Sequence, residues 1–345
     1  CSVSGTTLTL VSSGSCVLTA AQTGNDNYSA ATSVVHTIVI SKATPSVSSM
    51  SAQSKTYGDA SFTPSAPSVT YEGASVGGSI AYSSSNTSVA SVNSSTGAVA
   101  IEGAGSATIT AAFTPTDTGK FNAVSTTYAV SVAKANQAAL TLTSTSGTYG
   151  TGLTLTTSGG TTAGSKSYVV ADGSATGCSV SSGVLTVTGA GTCSVTVTMA
   201  GNDNYNPVSS SATTVTFDPR PITVTASARS KVYGASDPSL GYTITSGSLH
   251  GSDTLSGSLS RTSGEDVGTY TITQGTLGNS NYTITYVDAS LDITGATQSG
   301  FTVSAGSMSV TYGSTTTLST SGGDGTGAVT YTAVDGTGSC SISGS

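Results

Sequence analysis

The stretch VLTVTGAGTCSVTVTM, residues 184–199, decides how the rest of the chain is read. On both sides of its glycine turn, valine or leucine alternates with threonine or serine, so every second side chain is apolar. A period of two belongs to strands with one dry and one wet face. Threonine keeps the wet face polar while still favouring extended backbone. The pattern returns as TTLTL, HTIVI, ATITAAF, YAVSV, LTLTT, TVTF, PITVTA, YTIT, NYTITY and SLDIT, bounded by glycine, asparagine and serine clusters. No segment carries a helical period of apolar residues. Short strands at this spacing predict an all-β chain, a tandem array of immunoglobulin-like antiparallel β-sandwich domains.

A tyrosine-glycine pair supplies the repeat. KTYGDAS, GTYGTGL, KVYGASD and VTYGSTT place Tyr57, Tyr149, Tyr233 and Tyr312 at intervals of 92, 84 and 79 residues. Such intervals are domain-sized and too long for a solenoid unit. Strands end at lysine- or proline-marked junctions: ISKATPS (40–46), VAKANQ (132–137), FDPRP (217–221) and ITGATQ (293–298). The expected modules are therefore 1–41, 42–134, 135–217, 218–294 and 295–345. Linkers this short predict a semi-rigid array forming an extended rod. The four tyrosines are expected to be shared packing anchors, with the glycine allowing a strand bend.

Composition narrows the function. Only 7% of residues are charged, against about 25% in an average domain. The 36% hydrophobic residues, set at period two, nonetheless argue for packed strands over disorder. A net charge of −7 without a basic cluster excludes a nucleic-acid surface, which needs clustered cations to displace counterions. No apolar run approaches the roughly 18 residues of a membrane span. The chain opens on CSVSG without a signal peptide, so an export signal is expected outside this segment.

Cysteine spacing points to the compartment. Cys1 and Cys16 lie 15 apart, as do Cys178 and Cys193, in matching contexts; Cys340 opens a third copy, CSISGS. Zinc sites use pairs two to four residues apart, so disulfides Cys1–Cys16 and Cys178–Cys193 are expected, in an oxidising, exported setting. Cys340 reads as half of a pair whose partner lies outside the segment. Cys1 to Cys340 spans 339 residues, one super-repeat with a six-residue overlap. The chain reads as a window on a longer repetitive protein; the alternative is that incomplete end modules pair head to tail between subunits.

Residues 80–111, IAYSSSNTSVASVNSSTGAVAIEGAGSATITA, resemble a group 2 bacterial immunoglobulin-like domain. Residues 218–294, with VYGASDPSLGYTITSGSLHGSDTLSGSLSR and GTYTITQGTLGNSNYTI, resemble the mostly-β MBG repeats. Residues 135–217, with GTYGTGL, the cysteine pair and MAGNDNYNP, look like a further bacterial immunoglobulin-like repeat. Residues 1–41 match its second half and 295–345 its first. In this alignment Cys193 takes the slot of Ala107, in phase with Val195 and Val197, and Cys178 falls in phase with Val180. The pair is then expected to bridge strands across the core. These families occur in large surface adhesins and extracellular filaments, and share an architecture without an active site.

Candidate chemistry is sparse. His36 and His250 stand in separate modules, and Glu72, Glu102 and Glu265 are the only glutamates, so neither a triad nor a carboxylate pair is expected. GNDNY at 24–28 and 201–205, with GNSNY at 278–282, favours tight turns. Each loop offers calcium at most one carboxylate, Asp26 or Asp203, which is poor for a hard cation. Tyr28, Tyr205 and Tyr282 read as plugs at module ends. The sequence therefore points to a structural stalk or filament segment of a long exported bacterial repeat protein, extracellular or at the cell surface. Its expected partners are neighbouring repeats or subunits, with no cofactor and no catalysis. The alternatives are an adhesin module whose end loops bind glycans or a host surface, and a spacer within a secreted enzyme.

Overall fold

The computed structural model describes residues 1–343; the last two residues of the expected terminal module lie outside the described residues. The described chain is all β, and no helix occurs in it. It divides into two compact units, Cys1–Gly147 with Thr151–Phe217, and Thr148–Gly150 with Asp218 onward.

The first unit holds two sandwich cores. One is built on a sheet of order Gln53–Thr56, Val124–Ala133, Gly105–Pro115, Gly78–Ser84. Alternation in GSATITAAFTP sends Ala107, Ile109, Ala111 and Phe113 inward. There Ile109 and Val130 meet Val99 from the opposing hairpin Ala90–Val92/Val99–Ile101. Each such side chain contributes on the order of 1.5–3 kcal/mol on burial. In the other core, Gly191–Met199 is flanked by Lys166–Asp172 and Thr213–Asp218. The opposing sheet is Leu153–Thr154, Val184–Thr186, Ser179–Ser181. Leu185 meets Val195, Val197, Val215 and Phe217 between the sheets. The two halves of the stretch 184–199 thus face each other across one core. Gly191 makes the turn possible: its φ is +140°, and a Cβ there would lie 2.5 Å from the Ala175 nitrogen.

Two details depart from a simple antiparallel reading. LTLTT does not run as one strand: Leu153–Thr154 pairs with Val184–Thr186, whereas Thr157–Gly159 pairs with Leu140–Leu142. The segment changes sheets around the buried Leu155, whose N–H donates to the Gly183 carbonyl at 2.8 Å. In addition, Gln53–Thr56 pairs in parallel with the closing strand Val124–Ala133. A chain that enters a sandwich at one end and leaves at the other runs its first and last strands in the same direction.

The second unit repeats this device. Arg220–Ala226 pairs in parallel with Tyr282–Val287, and Arg229–Val232 with Ala289–Thr294. Gly268–Thr273 adds antiparallel to Ala289–Thr294. Ile222, Val224, Ile272, Leu291 and Ile293 are buried within. Further along, Thr302–Ala305 and Leu318–Ser321 form a hairpin. Its counterpart near the start of the first unit is the hairpin Gly14–Ala20/Val34–Ile40.

Disulfides join Cys1 to Cys16 and Cys178 to Cys193. Cys193 is buried on Gly191–Met199, and Cys178 immediately precedes Ser179–Ser181, so the second bond ties opposing sheets. Cys340 is exposed and unpaired. Its N–H donates to Asp335 at 2.7 Å, as that of Cys178 does to Asp172 at 2.8 Å.

Candidate functional site, the junction loops

In each GNxNY segment the first asparagine's side chain accepts a backbone N–H from two residues on. In 201–205 the Asn202 side-chain oxygen accepts the N–H groups of Asn204 and Tyr205, both at 2.9 Å. The Asn202 N–H donates to the Tyr205 carbonyl at 3.1 Å. Loop 24–28 is a copy: Asn25 accepts from Asn27 and Tyr28 at 3.1 and 3.0 Å. In 278–282, Asn279 accepts from Asn281 at 2.9 Å. In the two GNDNY loops the first glycine is obligatory, since a Cβ on Gly201 would lie 2.2 Å from the Tyr205 carbonyl oxygen and one on Gly24 2.3 Å from that of Tyr28.

These turns leave the last asparagine and the tyrosine free to reach a neighbour. The Asn204 side-chain oxygen accepts the Ala104 N–H at 2.9 Å. The Tyr205 ring stands edge-on to Tyr57, with centroids 5.5 Å apart. The linker is held as well. Lys134 Nζ donates to the Asn202 carbonyl at 2.7 Å. Ala135 N–H reaches Asn204 and Asn206 N–H returns to Ala135, each at 2.9 Å. Buried Gln137 follows, giving its amide N–H to the Asn206 carbonyl at 2.9 Å. No linker residue from 134 to 137 hangs free.

Within the second unit, Tyr149 meets Tyr282 and His250 edge-on, at 5.9 and 5.7 Å. Both phenols donate to one Asp253 oxygen, Tyr149 at 3.0 Å and Tyr282 at 2.6 Å, while Tyr282 Oη accepts the His250 N–H at 2.7 Å. Burial, and then the shared Asp253 carboxylate, push both phenols above their ordinary pKa.

The expected anchor set divides. Tyr57 is half-buried and Tyr149 is 3% exposed, but Tyr233 is 53% exposed and Tyr312 fully so. Those two are not packing anchors in this structure. The covered pair owe their burial to a loop tyrosine, Tyr205 or Tyr282, and neither Tyr233 nor Tyr312 has one against it. Asp26 and Asp203 are both exposed, and the Asn25, Asn202 and Asn204 side-chain oxygens are spent on backbone N–H groups. No cluster of three or more His, Cys, Asp or Glu suited to a metal exists among the described residues. His36 lies exposed on Val34–Ile40.

One polar cluster has no signal in the sequence. Lys231 is buried and its Nζ lies 2.6 Å from Asp237 and 2.5 Å from Glu265. Arg261 joins both acids, with Nε 2.7 Å from Asp237. The Arg261 guanidinium, with Lys231, holds Asp237 at about 2, and Lys231, with Arg261, depresses Glu265. The four residues are scattered from 231 to 265, so no local pattern announces them.

Residues 222–292 match the MBG domain of YGX type, a span that contains Tyr233–Gly234. Residues 71–114 match the immunoglobulin-like domain of intimin. Two segments of the chain are thus similar to MBG and bacterial immunoglobulin-like repeat domains. The intimin match overlaps the stretch that resembles a group 2 domain. No curated protein matches the repeat protein. Among solved structures, cadherin domains 3–6 of protocadherin gamma B2 are 12% identical, covering 78% of this chain and 76% of that one at a TM-score of 0.30. Mouse cadherin-23 EC22–24 is 14% identical over 60% and 75%, at 0.29. Titin I67–I69 is 12% identical over 73% and 99%, at 0.23. No helix of the described residues is long and apolar enough to cross a membrane.

Proposed function

We propose that the repeat protein is a mechanical spacer, a stalk or filament segment of a long exported bacterial protein, extracellular or at the cell surface. Modules 42–134, 135–217 and 218–294 are its successive links, and it has no catalytic role. The observation that carries this reading is the junction at Lys134–Gln137, where backbone bridges, a lysine and a buried glutamine fasten the linker to the GNDNY loop. A linker held in this way resists bending far more than a solvated one of the same length. The two disulfides suit an oxidising exterior, and a surface of hydroxyls is little affected by salt.

Pulling the chain by its ends in optical tweezers tests the proposal. Serial, sharp unfolding steps are expected, with negligible extension at low force. Smooth low-force extension, as of a flexible tether, would sink it.

A further inference from the structure

We infer that the strand Lys166–Asp172 is a pairing edge for a second copy of the chain, the two strands lying antiparallel with Val169 opposite Val169. This strand ends its sheet, with Gly191–Met199 hydrogen-bonded along one side alone. It belongs to the complete module 135–217, which has a whole module on either side in the sequence.

Alternation fixes which backbone groups are free. The Ala200 N–H donates to the Ser165 carbonyl, and the Gly173 N–H to the Thr192 carbonyl, both at 2.9 Å. Odd-numbered residues between these two bonds therefore turn their N–H and C=O toward Gly191–Met199. Lys166, Tyr168, Val170 and Asp172 turn theirs away. The matching edge in the other core of this unit, Gly78–Ser84, is closed over: the Tyr82 N–H, aimed off the sheet, donates to the Ser94 carbonyl at 3.0 Å. Among the described residues no carbonyl takes the N–H of Tyr168 or Val170. An edge left open in this way is a template for one more strand.

The side chains select this same strand as the partner. Centred on Val169, KSYVVAD is complementary to its own reverse: Lys166 meets Asp172 at both ends, and Tyr168 meets Val170 on either side of the axis. These are the residues whose N–H and C=O face outward, so the register that matches charge also joins the free backbone groups. Lys166 is exposed and forms no ion pair among the described residues. The Asp172 carboxylate is aimed by the Gly177 and Cys178 N–H groups, at 3.1 and 2.8 Å, and meets no cation among the described residues. Val169 is 72% exposed, and on the axis it forms a non-hydrogen-bonded pair, where side chains approach closest. The contact is isologous, with one patch used by both copies, and it joins modules that point in opposite directions. It stands apart from the spacer reading, which concerns one chain under load.

Sedimentation of the 345-residue chain across a concentration series tests the pairing, in a Cys340→Ser background that removes the free thiol. The parent chain should form a dimer. Val169→Lys and Val169→Glu chains should each stay monomeric alone, because like charges then face each other across the axis, and should dimerise when mixed. Both should keep the parent urea midpoint, since the side chain they replace is exposed. Lys166→Glu turns two attractions into two repulsions and should weaken the dimer about tenfold at low salt, and less at high salt. A parent chain that stays monomeric at its solubility limit overturns the pairing. So does association that Val169→Lys leaves unchanged, or a mixture of the two variants that stays monomeric. Each of these results leaves the serial unfolding of a single chain, and with it the spacer reading, untouched.

Discussion

Tyr57 and Tyr205 are separated by 148 residues of chain and meet edge to face at 5.5 Å. The contact joins the turn after a module's opening strand to the loop that precedes another module's closing strands. Edge-on aromatic pairs contribute about 0.5–1.5 kcal/mol beyond the area they bury.

A double-mutant cycle should recover that coupling. Tyr57→Leu and Tyr205→Leu are expected to be non-additive by about 1 kcal/mol in urea unfolding. Additive losses would mean that the rings touch without interacting.

The bond between Cys178 and Cys193 closes a 15-residue loop across the core. Replacing both cysteines by serine should cost about 3 kcal/mol in the chain-entropy model. In pulling experiments, reductant should lengthen the fully unfolded chain by roughly 45 Å per bridge, since each extended residue spans about 3.5 Å. An unchanged contour length would show that the bridges do not form.

The Lys231–Asp237–Arg261–Glu265 cluster sets an acid dependence. Asp237 and Glu265 bind protons less readily when folded than when unfolded, Asp237 titrating at about 2. Their contribution is therefore complete above the ordinary carboxylate range and is lost as pH falls through that range toward 2. The urea midpoint should drop between pH 5 and pH 2, and Asp237→Asn should flatten the drop. A midpoint equally steep in the variant would assign the effect elsewhere.

An alkaline limit arises at Asp253. The Tyr149 and Tyr282 phenols have folded pKa values above the ordinary one, so their contribution is complete below about pH 10 and declines as pH rises through the folded values. Absorbance of phenolate should show Tyr149 and Tyr282 among the late-titrating tyrosines, with Tyr128 and Tyr286, and in Asp253→Asn the first two should titrate earlier while burial still holds them above the ordinary value. Early titration of all the tyrosines would refute the arrangement.

Tyr128 is buried with its hydroxyl unpaired, and burial raises its pKa. Removing an unsatisfied polar atom without altering shape is neutral or favourable. Tyr128→Phe should therefore raise the unfolding free energy by up to about 1 kcal/mol, read as a higher urea midpoint. A loss of more than that would reveal a partner for the hydroxyl.

Strands were legible because alternation is a local property: GSATITAAFTP states its dry face residue by residue. The cysteine pairs were legible through equal spacing in matching contexts. The tyrosine anchors were only half legible. A Tyr-Gly pair fixes where the ring is offered, but its burial depends on a loop some 130 to 150 residues away, as for Tyr149 with Tyr282 and Tyr57 with Tyr205. The ion cluster was not legible at all, because Lys231 and Glu265 acquire meaning only after the strands between them have folded.

The clamped linker at Lys134–Gln137 also bears on inheritance. Modules 135–217 and 218–294 each carry a GNxNY loop and a Tyr-Gly turn of their own, so a duplication in the gene that copies such a module copies both fittings with it. Such a duplicate could be spliced beside a dissimilar neighbour without redesign of either. Gain or loss of whole units would change reach in increments of some 80 residues, and a single-residue insertion in the linker would be the more damaging event, since it shifts the bridge at Ala135 by one and turns the next side chain to the wrong face.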